Sequence, residues 1–89
     1  MPILLVTYDL KKPGRDYAPV HKWLKTFAYC KDLESVWLLD TNWTTEQVRD
    51  KLRELVDTND KIFVVRLQRS WNSLNFGCGD WLNNASRNW

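Results

Sequence analysis

Asp9 is the residue of this chain best placed to do chemistry. It closes an apolar run, Ile3 to Tyr8, and is followed closely by Lys11, Lys12, Pro13, Gly14 and Arg15. A carboxylate so placed can help hold a divalent ion such as Mg²⁺ or Mn²⁺, because these ions keep much of their hydration and need few protein ligands. Lys11, Lys12 and Arg15 could then meet a phosphate backbone, with Gly14 allowing close approach. The same residues also read as plain structure. Asp9 would end a strand by accepting backbone N–H groups, and a solvated basic turn would follow.

A second set lies in the last third of the chain. Arg69, Trp71, Phe76, Trp81, Arg87 and Trp89 interleave cations with aromatics. Arg69 and Trp71 are candidate contacts for single-stranded nucleic acid, since aromatic side chains stack on bases. Packing against the domain or a partner competes with that use, because Trp dominates interface cores. His21, the one histidine, has no Ser, Cys or Asp partner near it in sequence and is assigned no catalytic role. Cys30 and Cys78 lack neighbours at metal-ligand spacing, so two free thiols in a reducing compartment are expected. Gly77-Cys78-Gly79 is neither a CxxC nor a phosphate loop and reads as a turn.

The elements that must position these residues follow from periodicity. Ile3 to Tyr8 reads as a central strand covered on both faces, with Ile3, Leu5, Thr7 and Asp9 on one side and Leu4, Val6 and Tyr8 on the other. Tyr17, Val20, Leu24 and Phe27 fall at helical spacing behind Asp16, and Pro19 sits in the first turn. Tyr29 to Leu33 reads as a short edge strand and turn, and Ser35 to Asp40 as a firmer strand. Thr44-Thr45-Glu46-Gln47 is a capping-box pattern opening a helix whose buried stripe is Val48, Leu52, Leu55 and Val56. After the Asp57–Asp60 turn, Lys61 to Leu67 alternates as a last strand, and Gly79 to Leu82 opens one short helical turn.

This order predicts an α+β, ferredoxin-like βαββαβ domain over residues 1–67. It has a four-stranded antiparallel sheet and two helices on one face. Residues 68–89 form an irregular tail that packs on the domain or on a partner subunit. The open face is expected to carry Ile3, Leu5, Ile62 and Val64, which asks for a cover: a second copy of the chain, or the tail folding back.

Composition narrows the function classes. With 13 basic and 11 acidic residues the net charge is +2, short of the basic excess of a dedicated nucleic-acid binder. A chain of 89 residues has room for one core and benefits from a partner subunit. The first apolar run is too short for a signal segment or a membrane span, so no membrane association and a cytoplasmic location are expected.

Val6-Thr7-Tyr8-Asp9-Leu10, Leu33-Glu34-Ser35-Val36-Trp37-Leu38 and the Asp57-Thr58-Asn59-Asp60 turn resemble the superfamily of the small CRISPR-adaptation nuclease and the VapD-type ribonucleases, in its SinR-like branch. The resemblance runs from Ile3 to Leu67. It implies a ferredoxin-like homodimer and, for the nuclease members, an Asp at the end of the first strand facing its twin. Asp9 matches that position, so two Asp9 carboxylates would share one Mg²⁺ or Mn²⁺. Trp37-Leu38 stands where the nucleases have a Phe-Glu pair. Two functions follow as expectations. One is a homodimeric protein handling RNA or DNA, with metal-dependent cleavage at Asp9. The other is a catalytically silent module that binds another protein, of the antitoxin, defence or phage-inhibitor kind.

Overall fold

The computed structural model describes residues 1–11, 16–85, 87 and 89. The chain forms a small α+β domain in the order β1 (Ile3–Asp9), α1 (Ala18–Leu24), β2 (Ala28–Cys30), β3 (Val36–Asp40), α2 (Thr45–Leu55), β4 (Lys61–Arg66) and α3 (Gly79–Asn83). The four strands make one antiparallel sheet in the spatial order β2-β3-β1-β4. The apolar run of β1 therefore lies inside the sheet, between β3 and β4. Each helix links two strands that flank a third, so α1 and α2 both pack on one face.

Register decides which side chains meet those helices. Leu4 and Val6 pair with Leu39 and Trp37 of β3, while Val6 and Tyr8 pair with Val64 and Ile62 of β4. Directly opposed residues share a face. This face joins Val20 and Leu24 of α1 and Val48 and Leu52 of α2 in the main core. Two of the residues expected on the open face are thus corrected: Ile62 and Val64 pack beneath the helices. They alternate with Phe63 and Val65, which carry the register of Leu5 and Thr7.

Local signals set the helix ends. Thr44 Oγ1 accepts from Gln47 N at 3.1 Å and Gln47 Oε1 accepts from Thr44 N at 3.0 Å, so the capping box is complete. In α1 the Asp16 carboxylate accepts the Ala18 N–H at 2.9 Å, with Pro19 in the first turn. That helix stops at Leu24, earlier than the stripe through Phe27 suggests. The Thr26 and Phe27 amides turn back to the carbonyls of Trp23 and Leu24, and Phe27 packs edge-on against Trp23 and Trp43.

The second face of the sheet is covered in part by the chain's own tail. Ile3 and Leu38 are buried with Cys78 and Leu82, flanked by Leu67, Trp71, Phe76, Trp81 and Trp89. Cys30 of β2 and Cys78 form a disulfide, which corrects the expectation of two free thiols. The spacing could not reveal this pairing, because the two cysteines are 48 residues apart and meet only when the tail crosses the sheet. Gly77 sits where a side chain would crowd Asp32, whose carboxylate accepts the Gly77 N–H at 2.8 Å. Among the described residues no helix is long and apolar enough to cross a membrane.

The tail leaves the other half of this face uncovered. Val36, Thr7 and Phe63 lie side by side across β3, β1 and β4. Phe63 is 60% exposed, and Leu33 and Leu74 are exposed at the margin. Between this open half and the tail lies a hollow of about 380 Å³ whose walls include Leu5, Leu33, Val36, Leu74 and Phe76.

Candidate functional site

Where β1 ends, α1 and the loop between β2 and β3 stand apart and leave a cleft of about 730 Å³. Tyr8 and Trp37 form its floor from the sheet. Tyr17, His21 and Lys25 line it from α1 and the residues that flank it, while Lys31, Glu34 and Ser35 line it from the loop. Asp9 and Leu10 complete the rim. His21 and Lys25 share a wall because four residues make about one helical turn.

The floor is a chain of hydrogen bonds. The buried Trp37 indole donates from Nε1 to Tyr8 Oη at 3.0 Å. Tyr8 Oη lies 3.1 Å from His21 Nε2. Since the indole can only donate, Tyr8 accepts there, and its own proton stays available to the imidazole or the cleft. His21 also stacks on Trp37, with ring centroids 6.1 Å apart and planes 19° from parallel. Tyr29 packs against Trp37 as well, and Lys31 Nζ lies 5.7 Å from the centroid of that ring.

One wall is braced by Asp60. Its carboxylate accepts Tyr17 Oη at 2.7 and 3.0 Å, the Lys11 N–H at 2.7 Å and the Asp57 N–H at 2.8 Å. This side chain ties the residues after β1, the start of α1 and the turn before β4 to one point. Outside the cleft, a hydrogen bond to Asp50 at 2.8 Å holds the exposed Arg49 guanidinium above its ordinary pKa.

The residues singled out in the sequence are not gathered in one place. Asp9 reaches the cleft rim, where its exposed carboxylate pairs with Lys11 Nζ at 3.0 Å. Lys12 and Arg15 lie outside the described residues. Trp71 is half-buried against the cluster of Ile3, Leu38, Cys78 and Leu82, and Arg69 lies 5.7 Å from the Trp89 ring centroid. Arg69 and Trp71 line a separate hollow of about 630 Å³ with Ser73, Phe76 and Asp80.

Among the described residues no three of His, Cys, Asp and Glu come together to hold an ion. Asp9 pairs with the Lys11 ammonium at an exposed rim, so an ion there would have to displace that cation and would keep most of its hydration.

His21 is the residue that reading the sequence missed. Its partners lie 13 and 16 positions away, on two different strands, and only the sheet register brings them together. Tyr8 was placed on the correct face by alternation, but nothing in the chain order links it to the Trp37 indole.

The chain matches no protein-family model, and no solved structure matches it.

Proposed function

We propose that the chain is a ferredoxin-like protein that handles nucleic acid and works from the cleft at the end of β1, as a homodimer. One observation carries this reading. Lys25, Lys31, His21, Ser35 and the Tyr8 hydroxyl all line a single open cavity, supplying cations for phosphate and groups for proton transfer. The order β2-β3-β1-β4, with both helices on one face, agrees with the ferredoxin-like arrangement. The second copy would cover the open half-sheet of Thr7, Val36 and Phe63 rather than the seam through Ile62 and Val64. Asp9 shares the alternation of Thr7 in β1, so such a seam would pass beside it. A divalent ion belongs to this reading only through a paired Asp9 from the second copy.

A cytoplasmic location belongs to this reading, and the Cys30–Cys78 bridge, of a kind rare in reducing compartments, counts against it. The direct test is fluorescence anisotropy with labelled single- and double-stranded RNA and DNA. Binding that falls steeply with salt, and is lost in Lys25→Glu/Lys31→Glu, is the expected result. No binding to any of the four ends the reading.

A second reading has its own support. The exposed Phe63, Leu33 and Leu74 around the open half-sheet suit a catalytically silent module that docks another protein there. It predicts a partner that competes with self-association and no affinity for oligonucleotides.

A further inference from the structure

We propose that the reactive group of the cleft is a proton relay, Trp37–Tyr8–His21, and that its substrate is RNA, cleaved through the ribose 2′-hydroxyl with no metal in the step. The inference rests on the nucleic-acid reading and adds a substrate class and a mechanism to it.

The relay is ordered by what each group can do. Trp37 is 1% exposed and can only donate, so its Nε1–H fixes one side of Tyr8 Oη at 3.0 Å. His21 Nε2 lies 3.1 Å from Oη. The relay uses the tautomer in which Nε2 accepts the phenol proton, and stacking on Trp37 keeps the ring in place. Satisfying the buried indole requires only the phenol. The histidine adds a proton acceptor behind it, and both Tyr8 and His21 face the same cavity.

A phenol backed by an imidazole can take a proton from a hydroxyl within reach. The 2′-hydroxyl of a bound ribose gives its proton to Tyr8 Oη while Oη passes its own to His21 Nε2. The 2′-oxygen bonds to the adjacent phosphorus, and the bond from phosphorus to the 5′-oxygen breaks. The departing oxygen takes a proton from solvent, and His21 later returns its proton to water. The products are a 2′,3′-cyclic phosphate and a 5′-hydroxyl. Lys25 and Lys31, on the walls of the same cavity, oppose the charge that builds on the phosphoryl oxygens. DNA lacks the attacking hydroxyl and stays whole. Tyr8 is the catalytic residue here, and His21 acts through it.

The test uses the full chain, a labelled single-stranded RNA, its all-deoxy counterpart and excess EDTA. Both oligonucleotides should bind, only the RNA should be cut, and the new ends should carry a cyclic phosphate. Tyr8→Phe and His21→Gln should each slow cleavage by at least about 100-fold. Gln can still accept from Tyr8, so circular dichroism should report an unchanged fold for His21→Gln. The acidic limb of the pH–rate profile should vanish in that variant, whereas a purely structural role would lower the rate equally at every pH. Binding of both oligonucleotides without cleavage overturns the relay and leaves the nucleic-acid reading intact. So does cleavage that requires added Mg²⁺ or that His21→Gln leaves at the unaltered rate. Failure to bind either oligonucleotide overturns that reading, and the relay with it.

Discussion

Arg87 Nη1 donates to Asp40 Oδ2 at 2.8 Å, joining the end of the tail to the end of β3. The same guanidinium lies 3.8 Å from the centroid of the Trp81 ring, so the cation is held between a carboxylate and an aromatic face. Asp40 is only 9% exposed, and its Oδ1 and the Arg87 Nε find no hydrogen-bond partner among the described residues. The Met1 ammonium stands 4.0 Å from Oδ1. A pair this dry costs more to break than it contributes when whole, since removing one partner strands the other.

Arg87→Ala should therefore destabilise the protein by about 3 kcal/mol, as expected for a buried pair broken on one side. Replacing both partners, as Asp40→Leu with Arg87→Met, should recover most of that loss. Urea denaturation of the three proteins checks the order. A loss under about 1 kcal/mol in Arg87→Ala would place the pair with ordinary surface ion pairs instead.

The tail has a second tether, Cys30–Cys78, which closes a long loop onto strand β2. Constraining a loop of 48 residues restricts the unfolded chain enough to stabilise the fold by about 4 kcal/mol. Cys30→Ala/Cys78→Ala should lose about 2–4 kcal/mol and show a much lower Tm. Thiol titration of the denatured, unreduced protein should find no free sulfhydryl. Two reactive thiols would restore the free cysteines expected from the sequence.

How far the sequence could be read depends on the range of the interaction. The capping box at Thr44 and Gln47 was legible because both halves lie within four residues. The faces of β1 were legible too, since alternation is a property of one strand. The placing of Ile62 and Val64 failed because it needed the pairing of β4 with β1, which alternation in β4 alone does not give. The disulfide and the Trp37–Tyr8–His21 chain were hidden for the same reason: their partners are brought together by the sheet and by the returning tail. Asp9 was found by its position at a strand end, but its neighbours in space come from α1 and the β2–β3 loop.

The box itself offers a calibrated test of local stability. Thr44→Ala removes the acceptor for the Gln47 N–H and should cost about 1 kcal/mol. Thr44→Ser keeps an oxygen in place and should cost much less. Equal losses in the two variants would show that the methyl group, not the cap, is what matters.

Phe63 carries the prediction on assembly. It is 60% exposed in the single chain, at the edge strand, in a row with Thr7 and Val36 that the tail does not cover. Being exposed, it contributes little to the fold of one copy, so Phe63→Glu should leave the Tm of the monomer almost unchanged. In a two-fold dimer through this half-sheet the substitution would bring two carboxylates to one seam and leave them poorly paired. Self-association should then weaken by at least about 100-fold, close to 2.7 kcal/mol. Sedimentation equilibrium at micromolar concentration reads the association and a thermal melt reads the Tm, each against the unaltered chain. Lys61→Ala, on the same edge but at the rim, should change association by less than tenfold, near 1.4 kcal/mol. An unaltered chain that sediments as a clean monomer would end the dimer reading and leave the open half-sheet to a different protein partner.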